Sequence, residues 1–172
     1  MLKYLIQDLA GTVRYIPYGL VAGVLILFLI QIINKKRQRQ GLTALKVLPV
    51  VCFYTYLALL IIITFLSRES GNKTGLDLQI GSTLRINVRN DAFLIENILL
   101  FIPYGFCFAW YRGRRSVLLQ SFVLGFFTSL GIEIMQLITG RGLFQVDDIL
   151  TNTLGAVLGV LIFKFISLFF KR

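Results

Sequence analysis

Histidine is absent from this 172-residue chain, and acids are scarce, with eight Asp and Glu against 18 Lys and Arg. Without imidazole there is no Ser-His-Asp triad, no haem axial histidine and no H-E-x-x-H zinc site, so any acid–base chemistry falls to carboxylates. The two cysteines, Cys52 and Cys107, stand alone in apolar runs without C-x-x-C spacing and read as small packing residues, not as a disulfide or metal pair. No P-loop, metal-ligand spacing or other cofactor motif is present, so no cofactor is expected. Charge as a whole is thin: 15% of residues are charged, 56% are hydrophobic, and the mean hydropathy is +0.78. A soluble domain carries about 25% charged residues, so this composition belongs in a membrane and excludes disordered, collagen-like and coiled-coil classes.

A spanning helix needs roughly 20 apolar residues. Stretches with little or no charge predict five: 15–34, 47–67, 92–111, 116–139 and 149–170. The third carries Glu96. Without it, Asn97–Tyr111 reaches only about 22 Å at 1.5 Å per residue, which is short of the hydrocarbon core, so Glu96 is expected at or just inside an interface. Cations cluster after the first span (Lys35, Lys36, Arg37, Arg39), after the third (Arg112, Arg114, Arg115) and at the end (Lys171, Arg172). The positive-inside tendency then predicts an outer N-terminus and an inner C-terminus, with eleven cations and no acid inside, and seven cations with all eight acids outside. The net charge of +10 is thus a topology signal with affinity for anionic lipid, and no nucleic-acid partner is expected. The expected fold is an all-α transmembrane five-helix bundle, a single domain over residues 1–172.

Two smaller elements are predicted outside the spans. Residues Leu2–Leu9 suit a short interfacial helix with Leu2, Leu5, Ile6 and Leu9 on one face. In the outer loop 68–91, Leu76, Leu78 and Ile80 alternate with polar residues, as do Leu84, Ile86 and Val88 beyond Gly81-Ser82-Thr83; the pattern predicts a small extracellular β-hairpin, with an irregular loop as the alternative. The tetrapeptide Ile-Pro-Tyr-Gly occurs at 16–19 and again at 102–105. Each copy marks a helix segment that packs closely on a neighbour, through chance, shared packing need or duplication.

Polar residues recur at one depth near the outer boundary. Glu96 and Asn97 begin the third span, Glu133 and Gln136 lie three apart near the end of the fourth, and Arg141 stands in the turn. Asp147 and Asp148 open the fifth span, with Asn152 one turn on, followed by Gly155 and Gly159 as a G-x-x-x-G pair. A structural role would have Asp147 and Asp148 favour the helix N-terminus, Arg141 neutralise one of them, and Gln136 and Asn152 bind across the bundle. It accounts less well for Glu133, a carboxylate in hydrocarbon that needs a partner such as Arg141 or else must be protonated. The alternative is that the cluster lines an outward-facing ligand site. Ser121, Gly125 and Ser129 form a small-residue stripe that reads as a packing face.

The ordered set Glu96-Asn97 to Pro103-Tyr104-Gly105, Glu133-x-x-Gln136, Arg141, Asp147-Asp148 and Asn152-x-x-Gly155 resembles the VanZ-like membrane protein family. The resemblance runs from about Phe93 to Val160. It implies a multi-span protein of the bacterial plasma membrane whose founding relative gives low-level resistance to the lipoglycopeptide teicoplanin. By position, Asn97, Glu133, Gln136, Arg141, Asp148 and Asn152 correspond to the family's signature residues. Three functions compete. A binding protein would use Arg141 on phosphate or carboxylate and Asn97, Gln136 and Asn152 on sugar or amide groups of a lipoglycopeptide or lipid-linked wall precursor, flanked by Phe101, Tyr104 and Phe144. An enzyme would use Glu133 and Asp148 as a catalytic carboxylate pair on a lipid-linked glycan or phosphate, with a divalent ion on Glu133, Asp147 and Asp148 conceivable. A scaffold would partner another membrane protein.

Overall fold

The computed structural model describes residues 2–66, 68, 71, 75–84, 87–113 and 116–169. Among these residues six helices account for nearly all regular structure: α1 (Leu2–Thr12), α2 (Ile16–Arg39), α3 (Val47–Leu66), α4 (Val88–Arg112), α5 (Val117–Ile138) and α6 (Val146–Phe169). A 3-10 turn, Val13–Tyr15, joins α1 to α2 almost without a break. Five of these segments are long and apolar enough to cross a membrane: the α1–α2 run, α3, α4, α5 and α6. Arg114, Arg115, Phe170, Lys171 and Arg172 lie outside the described residues.

The helix ends follow local chemistry. Pro17 sits in the first turn of α2, where its missing N–H costs nothing. Asn87 caps α4 by accepting from the Asn90 amide at 2.9 Å, and Gly113 ends it in the left-handed region (φ 58°). Asn34 clamps the α2–α3 connection, donating to the Leu45 carbonyl at 3.1 Å and accepting from its amide at 2.8 Å. α4 begins four residues before the expected span. At 25 residues it is about 37 Å long, so Glu96 lies roughly 12 Å from its start.

α4 is the centre of the bundle, and its interface with α6 is the most extensive. The core between them and α3 and α5 holds Phe53, Leu60, Phe101, Tyr104, Phe108, Ala156 and Val160. The α4–α6 approach depends on glycine. A Cβ on Gly155 would strike the Ile98 carbonyl, on Gly159 that of Ile102, and on Gly105 that of Ala156, so the two backbones meet with no side chain between them. The G-x-x-x-G pair therefore serves contact within the chain. The Ser121–Gly125–Ser129 stripe of α5 also faces α6: Ser121 donates to the Ala156 carbonyl at 3.2 Å and Ser129 accepts from Asn152 at 2.8 Å. The two Ile-Pro-Tyr-Gly copies have different partners, since Gly19 rests on the Leu59 side chain while Gly105 meets α6 backbone.

The expected hairpin is not formed among the described residues. Leu76–Asp77 (β1) pairs in parallel with Phe144–Gln145 (β2), Gly81 turns with φ 81°, and Val88 already belongs to α4. Arg85 and Ile86 of the expected second strand lie outside the described residues. The alternation of apolar residues does not bury one face, since Leu76, Leu78, Ile80 and Leu84 are all exposed. The segment is instead held by its polar groups, as described next.

Candidate functional site

The polar residues of the sequence pattern gather at the end of the bundle formed by the C-termini of α3 and α5 and the N-termini of α4 and α6. They divide into two layers. A cavity of about 950 Å3 is lined by Asn97 and Glu96 of α4, Asp148 of α6, and Arg141, together with Arg68, which follows α3. Glu133, Gln136, Asp147 and Asn152 do not line it; they are buried behind it, each at most 6% exposed.

The buried layer is a scaffold of charge-assisted and amide bonds. Glu133 Oε2 accepts the Gln145 backbone amide at 2.9 Å, so the α5 carboxylate positions β2. Gln136 spans α5 and α3: its Nε2 donates to the Thr64 carbonyl at 3.3 Å and its Oε1 accepts from Arg68 Nη1 at 3.1 Å. Asn152 binds Ser129 through Nδ2, while its Oδ1 is buried without a hydrogen-bond partner. Asp147 reaches away from its own helix. It accepts the Gly81 amide at 2.7 Å and the Thr83 amide at 2.9 Å, with the Ser82 hydroxyl at 3.5 Å, and so fastens the β1–α4 connection over α6. A carboxylate taking two backbone amides is a strong anchor because each bond is charge-assisted.

The cavity layer corrects the expected charge pairing. Arg141 does not neutralise either aspartate; its Nη1 donates to the Phe65 carbonyl at 2.6 Å, which closes the C-terminus of α3. Asp148 is paired with Arg68 at 4.0 Å and accepts from the Asn97 side chain. Gly142 makes room for Arg68, because a Cβ there would lie 2.5 Å from Nη1. Phe101 and Tyr104 do not flank the site. Both are fully buried in the core, where the Tyr104 hydroxyl meets Thr128 Oγ1 at 2.9 Å. No three His, Cys, Asp or Glu residues among those described are grouped to share a metal ion.

Contributors of three kinds are not marked by the sequence pattern. By sequence Arg68 only opens the outer loop, although as the first charge after the second span it has to lie at the same end as Asp148. Gln145 and Thr83 act chiefly through backbone amides, which leave no mark in a sequence. The third is the wall formed by α1 and the following turn, which brings Gln7, Asp8, Thr12 and Arg14 to the cavity, opposite Arg89 and Glu96 of α4.

Five membrane-length helices around a cavity of mixed polar and apolar lining at one end define a multi-pass helical membrane protein with a ligand-sized recess. Residues 18–169 match the VanZ/LLP1 family, and the chain belongs to that family. Neither the curated proteins nor the solved structures compared with the chain gave a match.

Proposed function

We propose that the chain is a binding protein of the bacterial plasma membrane, acting as one unit over residues 1–172, whose recess faces outward and holds the polar head of a lipid-tailed molecule. A lipoglycopeptide such as teicoplanin, or a lipid-linked wall precursor, has this form. The observation that carries the reading is the mixed lining of the cavity: Arg68, Arg141, Asn97 and Asp148 offer polar contacts while Ile63, Leu100 and Leu143 offer apolar ones, at the boundary end of membrane-length helices. Its volume suits a drug-sized head group. The outward orientation is supported by Lys36, Arg37 and Arg39 in the last turn of α2 and Arg112 in that of α4, all at the opposite end.

The geometry favours binding over carboxylate-pair catalysis. Of Glu133 and Asp148, only Asp148 lines the cavity, and Glu133 spends one oxygen on the Gln145 amide. The test is survival of a sensitive Gram-positive host against teicoplanin and vancomycin, with Arg141→Ala, Asp148→Asn and Glu133→Gln compared at matched membrane levels. Protection against teicoplanin alone, reduced by degrees in Asp148→Asn and Arg141→Ala, is expected. Abolition by both Glu133→Gln and Asp148→Asn in folded protein would instead favour the enzyme, and undiminished protection in all three the scaffold.

A further inference from the structure

The segment between β1 and α4 has its polar and apolar sides reversed relative to a loop in water. Thr83 is 7% exposed and Asp77, Gly81 and Ser82 are half-buried, whereas Leu84 is 56% and Ile80 72% exposed, with Leu76 and Leu78 between them. The inward groups are bonded. Asp77 takes the Ser82 hydroxyl at 2.6 Å and the Gln79 amide at 3.3 Å, Asp147 takes the Gly81 and Thr83 amides, and Thr83 Oγ1 accepts from Gln145 Nε2 at 3.4 Å. The four apolar side chains therefore cannot turn inward without the loss of these bonds, and four large apolar groups this exposed on one short segment mark a contact surface.

Its depth is set by the helices. At 1.5 Å per residue a hydrocarbon core of about 30 Å takes about 20 residues of α4, so from Arg112 it reaches roughly to Phe93. Val88 then stands about 8 Å further out, within the head-group layer, and Leu84 directly precedes that helix start. The apolar face is continuous with the outer stripe of α4, where Val88, Ile95 and Leu99 share one side and Val88 and Leu99 are exposed. The charges agree with that depth: Lys73, Arg85 and Arg89 flank the segment in sequence, and the Arg89 guanidinium lies over the rings of Phe93 at 5.4 Å and Tyr4 at 5.8 Å, a cation and aromatics of the kind that gather at a phospholipid boundary.

We propose that residues 76–84 form a strap inserted into the bilayer leaflet at the cavity end, with Leu76, Leu78, Ile80 and Leu84 among phospholipid acyl chains just below the head groups. The opposite side of the strap supplies Thr83 to the cavity, so that part of the rim lies at lipid depth. The inference goes beyond the reading of the cavity and does not depend on what the cavity holds. It is tested on the full chain reconstituted one copy per nanodisc, with its single tryptophan removed as Trp110→Phe and a reporter introduced as Leu78→Trp or Leu84→Trp. Leu25→Trp, at an exposed position midway along α2, is the mid-bilayer reference. Phosphatidylcholine brominated near the glycerol end of its acyl chains should about halve the emission of the two strap reporters, as for side chains seated at the boundary of head groups and acyl chains. Lipid brominated near the methyl end should quench them less, the order should reverse for Leu25→Trp, and aqueous acrylamide should reach none of the three well. Strong acrylamide quenching of the strap reporters without lipid quenching would place the face in water, and resistance to both quenchers would place it under protein; either overturns the proposal. The chain without substitutions gives a second reading that no folding defect can affect. A photoactivated carbene carried on a lipid acyl chain should label the 76–84 peptide along with that of α2, and labelling of α2 alone overturns the proposal as well.

Discussion

Two glycine-lined helix pairs lie side by side in this bundle and behave differently. Between α2 and α3, Gly19 and Gly23 face side chains: an added Cβ would lie 3.0 Å from Leu59 Cδ1 in the first case and 3.1 Å from Thr55 Oγ1 in the second. Between α4 and α6, Gly105, Gly155 and Gly159 face backbone carbonyls, which cannot rotate away. α2 also exposes Leu20, Val21, Val24, Leu25 and Phe28 to its surroundings, while Ala156 and Val160 of α6 are wholly buried. Small residues at helical spacing therefore mark close approach in both places, but only the α4–α6 seam is fixed by backbone. That seam ends at Asn97, Asp148 and Asn152, so the cavity has one rigid wall and a second wall on the more loosely held α1–α2 run.

The largest effect expected from this contrast is at the seam. Gly159→Leu drives a side chain into the Ile102 carbonyl and should cost more than about 3 kcal/mol, seen as loss of monodisperse protein after extraction. Asp147→Ala comes next. It leaves two backbone amides without their acceptor, which should cost about 2 kcal/mol and speed proteolysis between residues 76 and 84. Arg68→Gln should cost only about 1 kcal/mol, because the arginine is 38% exposed and its pair with Asp148 is partly screened, yet it should reduce teicoplanin protection more than that loss of stability accounts for. The smallest effect belongs to Gly23→Ala, within about 0.5 kcal/mol of wild type, since the gain in helix propensity offsets the crowding of Thr55. Should Gly23→Ala and Gly159→Ala prove equally damaging in one thermal series, the distinction between the two seams is lost.

Much of this arrangement is legible in the sequence, for a physical reason. Five apolar runs with at most one charge each cannot be placed outside a bilayer without exposing their apolar surface, so the spans follow from hydropathy alone, with ends displaced by a few residues at α4 and α6. The common depth of Asn97, Glu133 and Asn152 follows from span direction. What the residues do at that depth does not follow. Arg141 stands nearest Asp147 and Asp148 in sequence, but the chain turns so that its guanidinium closes α3 and Arg68 takes the pairing role. The alternation of Leu76, Leu78 and Ile80 suggests a hairpin, but strand pairing is chosen by tertiary contact, and Phe144–Gln145 was already positioned by Glu133. The spacing of Leu2, Leu5, Ile6 and Leu9 predicts an interfacial helix. A helix does form there, but nothing in its apolar spacing tells that its polar residues complete the cavity.

The central claim, a recess that opens outward and receives a lipid-tailed ligand, is tested most directly by labelling. In a chain with Cys52 and Cys107 replaced by serine, Asn97→Cys should react with a membrane-impermeant maleimide in intact cells, and teicoplanin, but not vancomycin, should slow that reaction. Labelling only after permeabilisation, or equal protection by the two drugs, would contradict the account.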